Sequence, residues 1–317
     1  MLSRRVLRLK AMQVLYGYFS GNNDNPAMAE KELMFSIQKS HHLFFHLLNL
    51  IVEISDFARM KIENARQKKL PTYEDLNPNT RFVDNKVVSS IRMNREMVAF
   101  LSSYPYKWSD NEEIIKKLYW EILSAKEYEK YMQKSENTIK DDKELISFIY
   151  TDIIAKNEEI IQSLEEGSIF WNDDYEFLIS SIVKLIGSIK SEEGKLKIPA
   201  VFSHKDDEIF VKDLLHKTIK MHAENEKLIS NYTRNWDVER IAQLDILLME
   251  MAITEFLYMD EVPVKVSLNE YIELSKYYST EKSWAFINGV LDKIIETLRK
   301  EKRIVKKGKG LLGEPGM

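Results

Sequence analysis

The chain is predicted to be all-α, on three observations. Only ten Gly and seven Pro occur in 317 residues, so there are few points at which a helix must stop. Apolar residues recur three and four apart over long stretches, which is the spacing of one helix face. Leu, Ile, Glu and Lys dominate the remainder, and a hydrophobic fraction of 44% is ordinary for a globular protein and enough to build a core.

The first helix is expected from Ser3, as N-cap, to about Phe19, ahead of the turn-forming stretch Gly21 to Pro26. Leu7, Ala11, Val14, Leu15 and Tyr18 form its inward stripe, which puts Arg4, Arg5 and Arg8 in water. Glu30 to Lys69 reads as one long helix or two, ended by Pro71. Further helices fit about 82–103, 111–134, 141–165, 173–190 and 206–231, with breaks near Pro105, Gly167 and Gly194 to Pro199.

Three closing helices follow. Asn235 or Asp237 caps the first, in which Ile241, Leu244, Leu248, Met251 and Glu255 share a face and only the last is polar. Pro263 stops it, and a second helix begins at about Ser267. Ser283 caps the last, where Phe286, Ile287, Val290, Leu291 and Ile294 pack and mid-helix Gly289 points to a close helix crossing. A shift of 65 residues lays 141–187 on 206–252, with Trp171 falling on Trp236; a duplicated helix pair and shared helical periodicity both produce such a match.

Several function classes are excluded or disfavoured. With no cysteine there is no disulfide, thiolate metal site or Cys nucleophile, which fits a reducing, cytoplasmic setting. The apolar run Leu43 to Val52 is shorter than the roughly 20 residues that cross a bilayer, and the start Met-Leu-Ser-Arg-Arg has no secretory apolar segment, so no membrane is expected. Gly-rich phosphate loops, His-Glu-x-x-His and Gly-x-Ser-x-Gly are missing, so an enzyme is not expected. His42 and His46 lie one turn apart among Phe44, Phe45 and Leu47, a setting for packing rather than for metal, and no cofactor is expected. The net charge of −4 hides an uneven distribution. Arg4, Arg5, Arg8 and Lys10 crowd the start, and Arg299, Lys300, Lys302, Arg303, Lys306, Lys307 and Lys309 the end.

Three blocks in the last third stand out: Asn-Trp-Asp-Val-Glu-Arg-Ile-Ala-Gln-Leu-Asp from Asn235, Val-Pro-Val-Lys-Val-Ser-Leu-Asn-Glu-Tyr from Val262, and Ser-Trp-Ala-Phe-Ile-Asn-Gly-Val-Leu-Asp-Lys from Ser283. In this order and spacing they resemble the NusB family of bacterial antitermination factors. Ser3 to Tyr16, Ser-Arg-Arg-Val-Leu-Arg-Leu-Lys-Ala-Met-Gln-Val-Leu-Tyr, resembles the arginine-rich first helix of that family. The resemblance implies a NusB-like helical bundle divided as 1–29, first helix; 30–205, a helical insertion; 206–300, C-terminal core; and 301–317, a basic flexible tail.

It also implies a function: binding of boxA-like single-stranded RNA from ribosomal RNA operons, together with the small-subunit ribosomal protein NusE, in the transcription elongation complex. By alignment Arg4, Arg5, Arg8, Lys282 and Phe286 are the implied RNA contacts, with Lys282 standing where the family often has an acidic residue. Tyr16 and Glu239 are the implied NusE contacts, and Asp245 an implied structural position. Arginines that hold phosphates beside a ring that stacks a base are what single-stranded RNA requires. The alternative is a NusB-like scaffold, or an RNA-binding module in ribosomal RNA processing or modification, without antitermination activity. A cytosine methyltransferase with a NusB-like domain is disfavoured because no cysteine is present to attack the base.

Overall fold

A computed structural model describes residues 1–21, 25–104, 107–136, 138–190, 196–233 and 242–313. The chain forms two compact units, one from Met1–Ile37 with Val201–Met317 and one from Gln38–Ala200. The helices are α1 (Arg4–Ser20), α2 (Pro26–Arg66), α3 (Tyr73–Leu76), α4 (Lys86–Arg92), α5 (Arg95–Ser103), α6 (Glu112–Ser124) and α7 (Lys126–Gln133). After them come α8 (Ile139–Phe148), α9 (Glu158–Gly167), α10 (Tyr175–Ser188), α11 (Asp207–Thr233), α12 (Gln243–Tyr258), α13 (Val264–Tyr278) and α14 (Ser283–Lys300). The protein is all-α; among the described residues the only β pairing is an isolated bridge between Leu2 and Phe202.

In the first unit, α12 is the central helix. Leu247, Leu248, Met249, Met251, Ala252, Ile253 and Phe256 are buried around its whole circumference, as expected of a helix that is apolar on every side. It packs against α1, α11, α13 and α14. The proposed caps Asn235 and Asp237 lie outside the described residues. The helix starts expected at Ser267 and Ser283 shift. α13 begins directly after Pro263, whose fixed φ suits a helix entry, and this places Ser267 inside the helix, where its hydroxyl serves another partner. Lys282 occupies the N-cap of α14, because the Ser283 hydroxyl donates to Asp245 instead of capping. Gly289 marks no close crossing, since a Cβ there would meet nothing within 4 Å.

The C-terminal segment differs from the flexible tail expected of its composition. Lys306 is buried, and its ammonium donates to the carbonyls of Glu255 and Met259 at 2.9 Å each, capping the last turn of α12. Lys307 N–H bonds the Asp260 carbonyl at 2.9 Å, and Gly310 lies so close to that carbonyl that a Cβ would come within 1.9 Å of it. A lysine-rich segment is held here by the orphan carbonyls of a helix end, a partner that composition does not reveal.

On the opposite side of α12, Glu250 is buried and meets His222 of α11, Oε2 to Nδ1, at 2.9 Å. Among the described residues its Oε1 has no partner, and the His222 ring stacks on Phe19 at 4.2 Å. Burial pushes the Glu250 carboxyl up to about 7, against the lowering influence of His222. The folded state therefore favours protonated Glu250, so its contribution is complete below the ordinary carboxylate range and is lost as pH rises through about 7. Between pH 5 and 8 the native chain is expected to lose up to about 3 kcal/mol relative to Glu250→Gln, read from urea unfolding at each pH. Parallel curves for the two proteins would remove Glu250 as the titrating group.

In the second unit, α2 continues to Arg66 and buries Phe44, Leu47, Leu48, Leu50, Ile51 and Ile54. Backbone carbonyls along it accept from rings of other elements: Trp108 Nε1–H to His46 at 2.8 Å, Tyr150 O–H to Leu47 at 3.0 Å, and Trp171 Nε1–H to Lys39 at 3.1 Å. The His46 ring stacks on Trp108 at 4.3 Å, burial pushes its pKa down to about 4, and His42 packs on Tyr104. The expected long helices are divided. Asn85, Asn94 and Asn157 accept backbone N–H groups as N-caps, starting α4, α5 and α9 where helical periodicity runs on unbroken. The two segments matched by the 65-residue shift are built differently: α8, a π turn, a 3₁₀ turn, α9 and a second 3₁₀ turn precede α10 in the first, whereas among the described residues one unbroken α11 precedes α12 in the second. Trp236 lies outside the described residues.

Candidate nucleic-acid interface

The three arginines of α1 have three different environments. Arg8 is the clear departure from expectation. It is buried and holds Glu255 of α12 through two bonds, Nε to Oε1 at 2.6 Å and Nη2 to Oε2 at 2.8 Å. Ser267 and Tyr271 of α13 complete the carboxylate, donating at 2.7 and 2.6 Å. Burial alone would raise Glu255; the Arg8 charge and the hydrogen bonds from Arg8, Tyr271 and Ser267 overcome it and hold the group below its ordinary range. Arg8 is therefore a tie between α1, α12 and α13, and no part of it is offered to a phosphate. The reason is that nearly every side of α1 from Val6 to Leu15 is packed, so the helix has no broad wet face at that level.

Arg4 is half-buried. Its Nε lies 3.0 Å from Asp207 Oδ1 at the start of α11, and its guanidinium lies over the Phe210 ring at 4.7 Å. Arg5 is the open one, with 59% of its side chain exposed, in a bidentate pair with Glu270 of α13 at 2.8 Å for both bonds. An exposed pair contributes little to stability, so Arg5 can exchange its carboxylate for a phosphate at small cost.

From Glu270 an exposed ridge runs along α13 towards the start of α14. Glu273 pairs with Lys276 at 2.6 Å, and the Lys276 ammonium lies 5.8 Å from the centre of the Trp284 ring. Lys276 is six residues beyond Glu270, about 9 Å at the helical rise. Trp284 is 44% exposed and Tyr277 79%; at the start of α14 Lys282 is exposed and Phe286 half-buried. The turn beneath is fixed by Asp245 of α12, which accepts from Ser279 at 2.5 Å and Ser283 at 2.7 Å and so anchors the first turn of α14 to the core. Positive charge and exposed rings thus share one ridge, which also presents the positive end of the α14 dipole.

Lys276, Tyr277 and Trp284 were not among the residues expected from the sequence. Their signal was nonetheless present, as large aromatic residues next to lysines at positions off the apolar stripes. Tyr16, 43% exposed, sits twelve residues along α1 from Arg4, about 18 Å away by helical rise. Glu239, the other implied partner contact, lies outside the described residues. Among the described residues no group of three or more His, Asp or Glu is placed to hold a metal ion, and no helix is long and apolar enough to cross a membrane.

The first unit is thus an α-helical bundle in which the anchored start of α14 adjoins a ridge of lysines, carboxylates and exposed rings. Residues 189–296 match the model of the NusB family. Over 104 residues the chain is 43% identical to the transcription antitermination protein NusB of Salinibacter ruber, covering 33% of this chain and 65% of that protein. It is 40% identical over 112 residues to the protein of that name from Chloroherpeton thalassium, covering 34% and 53%, and 40% identical over 82 residues to that from Nitratidesulfovibrio vulgaris, covering 26% and 50%. Over this C-terminal part the chain is similar to the NusB family. It spans between half and two thirds of the length of these relatives, and the family match leaves α1 outside it. No solved structure matches.

Proposed function

We propose that the protein is a non-enzymatic RNA-binding factor in transcription antitermination that takes boxA-like single-stranded RNA of ribosomal RNA operons, with NusE as partner in the elongation complex. The carrying observation is the ridge at the start of α14, where Lys276, Lys282, Trp284 and Phe286 collect within the family-matched part. Phosphates would lie against Arg5, Lys276 and Lys282, and unpaired bases against the two rings. Relatives named as antitermination proteins support the reading.

The test is a titration of boxA-like against scrambled RNA, with and without NusE. Preference for the boxA-like strand, sharpened by NusE, is expected; equal binding of both strands would sink the antitermination reading and favour a general role in ribosomal RNA processing. In the same assay Arg5→Ala is expected to lower the salt slope of log affinity by about 0.7, the value for one lost phosphate contact on a single strand. Arg4→Ala should change it less, because Asp207 and Phe210 already occupy that guanidinium. An Arg5→Ala slope equal to that of the native chain would assign Arg5 to Glu270 alone.

A further inference from the structure

The second unit carries an apolar groove with an acidic rim. Phe57, Trp108 and Ile115 form its floor, Met60 stands at its mouth, and Glu53, Asp56 and Glu112 rim it around a volume of about 450 Å³. None of these lining residues is basic. The apolar surface continues past the cavity, because Trp120 is 56% exposed and Tyr119 lies edge-on to Phe57 at 5.2 Å. Glu53 to Lys61 on α2 and Glu112 to Trp120 on α6 each cover eight residue steps, about 12 Å, or a little over two helical turns. That is longer than a small cation needs and suits a short stretch of peptide chain.

Charge decides the occupant. Asp56 pairs with Arg92, and Glu112 with Lys116 at 3.3 Å; both carboxylates remain half or more exposed. Lys61 lies 5.5 Å from the Phe57 ring and 5.7 Å from the Trp120 ring, which shows that these rings accept a cation. Nucleic acid is disfavoured by three carboxylates around the opening. We propose that this groove docks a basic amphipathic helix of a partner protein, its apolar side chains on Phe57, Met60 and Trp120 and its Lys or Arg residues against Glu53, Asp56 and Glu112. Such a helix in a groove is read through anchors one turn apart, with the charged rim giving orientation and on-rate.

The test uses the full chain and two fluorescent 18-residue amphipathic helices, identical in their leucine face but with lysine in one and glutamate in the other on the polar face, followed by anisotropy. The lysine peptide is expected to bind and the glutamate peptide not. Glu53→Gln/Asp56→Asn/Glu112→Gln should weaken binding at least tenfold, and Trp120→Ala, a change at an exposed position, should do the same, with far-UV circular dichroism unchanged in both. Equal binding of the two peptides, or undiminished binding by Trp120→Ala, overturns the proposal. Concentration-dependent self-association abolished by Met60→Glu would overturn it too, by assigning the groove to a second copy.

Discussion

Replacing Arg8 with alanine is expected to destabilise the first unit by about 3–5 kcal/mol, the usual cost of leaving one member of a buried ion pair alone. Glu255 would then be a carboxylate fully enclosed by α1, α12 and α13, with only Ser267 and Tyr271 donating to it. Protonation is its escape, so between pH 8 and 5 the variant should regain more stability than the Glu250 contribution gives the native chain, whose own Glu255, held below its ordinary range, loses its contribution only at lower pH. The double replacement Arg8→Met/Glu255→Leu should recover most of the loss, since an apolar pair needs no counter-charge. Urea unfolding at pH 5 and 8 measures all three. A loss below about 1 kcal/mol for Arg8→Ala, the range of an exposed pair, would mean that the site is wet.

Phe286→Ala and Trp284→Ala are each expected to weaken single-stranded RNA binding by about 1–3 kcal/mol, roughly 5- to 150-fold, if each ring stacks one base. Both side chains are partly or largely open to water, so melting temperature should move little. A half-buried Phe286 that served the core instead would show the reverse, with a loss towards the 3–5 kcal/mol of a core phenylalanine and unchanged affinity per folded molecule. Filter binding and thermal melting of both variants separate the two roles, with Tyr277→Ala as a third exposed ring on the same ridge.

The closing helices were legible because their apolar stripes are long and Pro263 punctuates them. α12 showed its position through Glu255, the one polar residue on an otherwise apolar stripe, which in a buried helix calls for a cation. That cation is Arg8, and it was misassigned to water because a helical stripe marks the most apolar face without saying how many other faces are covered. Lys282 and Phe286 enter only through the family resemblance, since periodicity alone places Phe286 on the packed stripe; the rings of Trp284 and Tyr277 lie outside the stripe and carry no periodic signal. Helix starts in the second unit were hidden for a related reason. Asn85, Asn94 and Asn157 act by accepting N–H groups from the following turn, while the apolar spacing on either side runs straight through them.

The pairing of Arg8 with a residue 247 positions later constrains how the chain matures during synthesis. At 5–20 residues per second, α1 leaves the ribosome roughly 12–50 s before α12 exists. For that interval Val6, Leu7, Ala11 and Leu15 have no lasting cover, whereas the compact unit Gln38–Ala200 is already complete. The second unit thus has the opportunity to form first. A nascent chain halted near residue 240 would present α1 as an exposed apolar helix, the sort of segment that chaperones hold.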